Sequence, residues 1–392
     1  MEIRKFFSPK NFYKVDKSFE VWYNKTMKIK RVELLNYRNY ELAGVDFDSG
    51  ITLISGANGQ GKTNLVESVV VAATTKSPKT SSSNELIKDG KNLASVKILV
   101  ERDFGDIEIS YNIPSKGDKE FFINGNKVAK LSEVFGNLVT VYFSPDDLKI
   151  VSASPAERRD FMDTDISQLS GSYYNLLQRY NKILMQRNKL LKFERNRELL
   201  NAQIGVWDQQ LAQVASLIIK TRKSFIEKIK EPAKSALKFI SSQKDELEIE
   251  YVGARGTTAE EIKEELLKSL KYNLERDLEL GYTTVGPHRD DVYIGLNGKD
   301  ARSFASQGQQ RSIVLALKFA ELEIFDKELH EPPVLVLDDV FSELDTTRQR
   351  RLYEKMSTYQ TIITGTSFKF KPRGGYDIIK IKDGRVINKY HK

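Results

Sequence analysis

Gly56-Ala57-Asn58-Gly59-Gln60-Gly61-Lys62-Thr63 decides how the chain is read. The eight residues fit the phosphate-loop pattern G-x-x-x-x-G-K-T. The apolar run Ile51-Thr52-Leu53-Ile54 precedes them as a strand, and Asn64-Leu65-Val66-Glu67-Ser68-Val69-Val70 follows as a helix. Glycines let successive backbone N–H groups curl toward one phosphate, and the helix N-terminus adds its positive dipole end. Lys62 is expected to reach the β- and γ-phosphates of ATP as a point charge. The hydroxyl of Thr63 is expected to hold Mg²⁺.

Such a loop needs an acidic residue at the end of a neighbouring buried strand. Val334-Leu335-Val336-Leu337 reads as a parallel strand covered on both faces, and it ends in Asp338-Asp339. Burying two carboxylates is costly unless a cation answers them. Asp338 is therefore expected to coordinate Mg²⁺ through water, and Asp339 is expected to orient or deprotonate the attacking water. About 275 residues separate the two halves. The simplest arrangement is an α/β ATPase sheet, with a flanking β-rich part, interrupted by an inserted lobe. The expected parts are 27–158 for the first portion of the ATPase domain, 159–275 for the lobe and 276–392 for the return, with 1–26 as an N-terminal extension or a misassigned start.

Between those halves the texture changes. Apolar residues recur at steps of three and four from Leu169 to Leu190 and again from Trp207 to Ile229. This predicts two amphipathic helices joined near Asn201 and Gly205, with Pro232 as a stop. Residues 171–230 hold twelve Lys and Arg against four Asp and Glu, which equals the +8 net charge of all 392 residues. The basic excess therefore belongs to the lobe and points to a polyanion such as DNA. Arg195, Arg197, Arg222 and Lys223 are the expected phosphate contacts.

Elsewhere, β-rich runs are predicted at 30–35, 51–55, 95–101, 107–111, 121–123, 139–143, 292–296, 334–337 and 361–364. Helices are predicted at 309–329 and 347–358. The chain contains no cysteine, which excludes disulfides and thiol chemistry, and only three scattered histidines. No apolar run approaches the ~20 residues of a membrane span, so a cytoplasmic protein is expected.

Ser306-Gln307-Gly308-Gln309 precedes an amphipathic helix, where Ser306 is placed to cap it; Ser342-Glu343-Leu344-Asp345 follows the acidic strand. Loop, Ser-x-Gly-Gln helix, acidic strand and Asp345 turn, in this order, resemble an ABC-type ATPase. That resemblance implies that the signature residues of one subunit close over ATP held by another, making an ATP-dependent homodimer.

Within that class the chain resembles the RecF family from Met27 onward. The similarity is carried by Leu35-Asn36-Tyr37-Arg38-Asn39-Tyr40, Phe143-Ser144-Pro145-Asp146-Asp147-Leu148, Ser154-Pro155-Ala156-Glu157-Arg158-Arg159-Asp160-Phe161 and Gly286-Pro287-His288-Arg289-Asp290-Asp291. The phosphate loop, the signature and the acidic strand complete it. The resemblance implies an ATP-dependent DNA-binding protein that acts near single-strand gaps and works with RecR and RecO to load RecA. Two departures stand out. Lys79 occupies a position where relatives commonly carry arginine, and Thr364-Gly365-Thr366 lie where many ABC ATPases place a switch histidine. A transporter ATPase subunit, a Rad50- or SMC-type head, and a nucleotide-gated DNA clamp with incidental hydrolysis are the alternative readings.

Overall fold

The computed structural model of the chain describes residues 27–194, 196–356, 358–368, 372 and 375–392. The first part is rich in strands: β1 (Lys28–Leu35), β2 (Leu42–Asp46), β3 (Ile51–Ser55), α1 (Lys62–Thr74), β4 (Leu93–Glu101), β5 (Ile107–Pro114), β6 (Glu120–Ile123), β7 (Asn126–Lys127) and β8 (Thr140–Phe143). Buried and half-buried positions alternate along β5, as they should in a sheet with one face on the core. It belongs to an antiparallel sheet of order β2-β1-β4-β5-β6-β7. Tyr111 on its inner face donates to the Ser68 carbonyl of α1 at 3.0 Å, fixing this sheet against the helix that follows the phosphate loop.

The chain then builds a lobe: α2 (Lys149–Ser152), α3 (Pro155–Leu169), α4 (Gly171–Phe193), α5 (Arg197–Ser241), β9 (Leu247–Val252), α6 (Ala259–Tyr272), α7 (Leu274–Leu280), β10 (Asp291–Leu296), β11 (Lys299–Asp300), α8 (Ala301–Phe304) and α9 (Gln307–Leu329). The helical hairpin is present, with two corrections. Its turn lies before Arg197 and not at 201–205, because the Asn196 side chain accepts from the N–H groups of Glu198 and Leu199 and starts α5 there. Nor does Pro232 stop α5, which runs through it to Ser241. A proline inside a helix costs ~3 kcal/mol. Leu237 and Ile240 beyond it are buried, each contributing about 1.5–3 kcal/mol, so continuing the helix offsets the lost bond. β9, which has no counterpart among the predicted strands, pairs antiparallel with β10.

The chain returns as β12 (Val334–Asp338), α10 (Thr346–Met356), β13 (Thr361–Gly365), β14 (Tyr376–Lys382) and β15 (Arg385–His391). These complete a second sheet of order β15-β14-β3-β13-β12-β8. All its neighbours are parallel except β14 and β15. Every residue of β12 and β13 is buried, as a continuous apolar run requires. β8 and β12 lie side by side, with Val334 opposite Thr140, so everything from 144 to 333 is inserted between two adjacent strands. The expected edges at 158/159 and 275/276 would cut α3 and α7. We propose the ends of β8 and the start of β12 as the edges of the insertion instead.

Candidate nucleotide site

β3 delivers the phosphate loop and β12 delivers Asp338, both at the carboxyl ends of parallel strands, where open α/β sheets bind ligands. Gly61 has φ 112°, and a Cβ on it would lie 2.8 Å from the Asn39 amide. A Cβ at Gly56 would lie 2.4 Å from the Ile381 carbonyl. Both positions thus require glycine. Lys62 folds back over the loop, its Nζ donating to the carbonyls of Gly56 and Ala57 at 2.8 and 2.9 Å. Burial pulls its pKa down, while Asp339 and Asp338 push it up.

Thr63 Oγ1 donates to Asp338 Oδ1 at 2.9 Å, joining the two halves predicted from sequence. Asp338 is 2% exposed. It also accepts from Thr364 Oγ1 at 2.7 Å and Tyr142 OH at 3.0 Å, and Lys79 Nζ lies 3.7 Å away. Burial and the neighbouring Asp338 charge raise the Tyr142 pKa well above the usual phenol range, so this hydroxyl stays a donor. Asp339 takes a left-handed backbone, φ 58°. Its N–H donates to Thr364 Oγ1 at 3.0 Å, and its carbonyl accepts from Ser342 Oγ at 2.8 Å. Asp339 opens on a cavity of about 380 Å³ shared with Thr366 and Ser367.

The loop is braced from the segment after β1. Asn39 donates to the Gln60 carbonyl at 3.0 Å and Tyr40 to the Gly61 carbonyl at 2.9 Å. Arg38 grips the fully buried Glu67 of α1 through two bonds of 2.8 and 2.6 Å. Asn39, Tyr40, Tyr142 and Thr364 were not expected from the sequence. Strand register would have found two of them: Tyr142 stands opposite Val336, and Thr364 stands opposite both Asp338 and Ile54, so β13 places its hydroxyl between the two strands of the site; Asn39 and Tyr40 lie in a stretch that carries the RecF resemblance.

The signature residues lie elsewhere. Ser306 caps α9, accepting from Gln309 N–H at 3.3 Å, while the Gln309 side chain accepts from Ser306 N–H at 3.1 Å. Ser306 and Gln307 are exposed. Hydrogen bonds of this segment run to Asp245, Ala305 and Arg348, and none reaches the phosphate loop among the described residues. Arg348 donates to the Gly308 carbonyl at 2.7 Å and to Ser312 Oγ at 2.9 Å, and it also pairs with Asp345. Arg348 thus ties Asp345 to the signature.

The basic candidates require correction. Arg222 is buried, with Nε and Nη2 on Asp163 at 2.9 and 2.8 Å and Nη1 on the Pro287 carbonyl at 2.6 Å. Lys223 donates to the carbonyls of Ala254 and Gly256 at 2.7 and 2.8 Å. Neither is free for a phosphate. Arg197 is exposed but pairs with Glu275, and Arg195 lies outside the described residues. Arg222→Glu would bury a carboxylate beside Asp163, a change worth about 3–5 kcal/mol. The expected result is a melting temperature lower by about 4–6 °C. An unchanged melt with weakened DNA binding would return Arg222 to the surface.

A phosphate loop and an acidic strand end in one sheet, with a capped signature helix on an inserted lobe, define an ABC-type ATPase head. A family model described as the RecF/RecN/SMC N-terminal domain matches residues 28–370. The chain belongs to the RecF family. The DNA replication and repair protein RecF of Alkaliphilus oremlandii is 42% identical over 344 residues, covering 87% of this chain and 93% of that protein. RecF of Clostridium acetobutylicum is 42% identical over 365 residues, covering 92% of this chain and 99% of that protein. A solved structure of the recombination mediator protein RecF with ATP, in the RecFOR pathway, superposes with a TM-score of 0.86 at 37% identity, covering 93% of this chain and 98% of that one. An Smc head from Pyrococcus furiosus, at 17% identity and TM-score 0.53, covers 93% of this chain and 96% of that one and shares the fold alone.

Proposed function

We propose that the chain is an ATP-gated DNA-binding protein of recombinational repair and replication restart. It binds DNA near single-strand gaps and helps RecR and RecO load RecA. The observation that carries this reading is the bond from Thr63 to Asp338, which assembles a nucleotide site from residues 275 apart. The RecF–ATP structure and the name of its pathway support the ligand and the first two partners. No helix among the described residues is long and apolar enough to cross a membrane, in keeping with work on DNA in the cytoplasm.

ATP lies with its phosphates on residues 56–63. Lys62 leaves its two carbonyls for the β- and γ-phosphate oxygens, and the α1 N-terminus faces the same charge. The hydroxyl of Thr63 and the buried carboxylate of Asp338 are hard oxygen donors suited to Mg²⁺, which neutralises phosphate charge when bound. Tyr142 and Thr364 hold Asp338 in place. Asp339 accepts a proton from the attacking water, its backbone fixed by Thr364 and Ser342. Ser306–Gln309 of a second copy close over the γ-phosphate, so ATP joins two heads and hydrolysis releases them. Thr364-Gly365-Thr366 stand where many ABC ATPases place a switch histidine, and Asp339 is one methylene shorter than the glutamate common in ABC transporters, so basal turnover is expected well below the ~10 s⁻¹ median of enzymes.

Asp339→Asn is expected to retain ATP binding while slowing hydrolysis by about 10²–10⁴-fold, the range of a positioned general base. Single-turnover phosphate release measures this, and an unchanged rate removes Asp339 from the chemistry. The function itself is tested by steady-state turnover with and without duplex DNA. DNA-stimulated turnover is expected; equal rates would leave hydrolysis unconnected to DNA.

A further inference from the structure

α4 carries five cations and no carboxylate in its 23 residues. Arg187 is buried and paired with Asp208 and Asp277. The other four, Arg179, Lys182, Lys189 and Lys192, are all exposed, and none forms an ion pair or hydrogen bond among the described residues. Lys192 only stacks on the Phe193 ring, 5.4 Å from its centre. The rest of the lobe's excess is largely spent on neighbours: Lys228 on Glu328 and Lys230 on Glu227, besides Arg197, Arg222 and Lys223.

At 3.6 residues per turn these four fall within an arc of about 140°, as two pairs with i, i+3 spacing along about 20 Å of axis. One strand of a duplex passes about six phosphates over that length. Beside the stripe, Gln178 and Asn181 of α4 line a cavity of about 260 Å³ that also holds Arg159. The Arg159 guanidinium donates to the Asp290 carbonyl at 2.8 Å and forms no ion pair among the described residues, although Asp163 lines the same cavity. A row of cations without ion-pair partners, beside a half-buried guanidinium, makes a surface suited to an external anion.

We infer that α4 is the DNA-backbone surface of this protein, with Arg179, Lys182, Lys189 and Lys192 on successive phosphates and Arg159 at its flank. This rests on the DNA-binding reading above and moves the contact off α5. Met185 and Phe193, exposed on the same arc, are what a protein partner would use. Four cations and no acid favour the polyanion.

The test is fluorescence anisotropy of a labelled duplex with the full chain and Mg·ATP, titrated between about 50 and 200 mM salt. The fourfold variant Arg179→Glu, Lys182→Glu, Lys189→Glu, Lys192→Glu should bind at least tenfold more weakly. The slope of log affinity against log salt should be shallower by about three to four. The milder pair Lys182→Gln, Lys189→Gln should flatten the slope by about two. ATP affinity and melting temperature should match wild type. Matching reversals at Lys263 and Lys271 of α6, where cations mix with acids, should leave the slope unchanged. A wild-type protein that binds DNA with the same slope as the fourfold variant overturns the surface alone. That result, with lost binding of an acidic partner protein, would make α4 a protein-docking face. A wild type that binds no DNA in any nucleotide state removes the function and this surface together.

Discussion

Lys62→Ala protein is expected to bind ATP at least ~100-fold more weakly than wild type while melting at nearly the same temperature. The ammonium makes two hydrogen bonds inside the phosphate loop, to Gly56 and Ala57, and phosphate oxygens would replace both when ATP binds as proposed. Charge-assisted hydrogen bonds contribute about 1.5–3 kcal/mol each, so losing two costs three or more. That is two orders of magnitude or more in affinity. Fold stability should survive, because the loop's shape is held independently by Asn39, Tyr40 and the left-handed glycines. Isothermal titration with ATP measures the effect, and near-normal affinity in a folded variant would remove Lys62 from the site.

Ser306→Arg is expected to leave ATP binding by the single chain intact and to abolish ATP-driven dimerisation. Ser306 is exposed and forms no hydrogen bond with its own phosphate loop among the described residues, so the substitution should not disturb the cis site. It does lose a helix cap, at a cost of about 1 kcal/mol, which lowers the melting temperature by about 1 °C without unfolding the chain. In a dimer the same position would meet the γ-phosphate of the partner, and a long cationic side chain there prevents closure. Sedimentation velocity in Mg·ATP distinguishes the cases. A dimer of normal stability would show that the signature does not act across subunits. Arg348 links Gly308, Ser312 and Asp345, so the same closure should depend on the Asp345 turn as well.

What could be read from sequence follows from how local each signal is. The phosphate loop, the buried strand ending in Asp338 and the cap at Ser306 are each written in fewer than ten consecutive residues, and each lies where expected. Tyr142 and Thr364 reach Asp338 only through the register of β8, β12 and β13, and Asn39 and Tyr40 reach the phosphate loop from the segment after β1. Pro232 obeys local propensity in isolation, but the buried residues beyond it override that preference. Arg222 is a different case. It recurs at helical spacing with Ile218 and Phe225, on the apolar stripe of α5, so the pattern itself placed it in the core. The same holds for Arg187, which falls on the apolar stripe of α4 and is wholly buried. Once both are set aside, the free cations that remain in α4 stand out.

The central claim is that ATP, held between Lys62, Thr63 and Asp338, joins two copies of this head. Light scattering of the Asp339→Asn protein, eluted in Mg·ATP, in Mg·ADP and without nucleotide, tests it most directly. Twice the mass of one chain is expected in Mg·ATP, and the mass of one chain in the other two. The same mass in all three would contradict it.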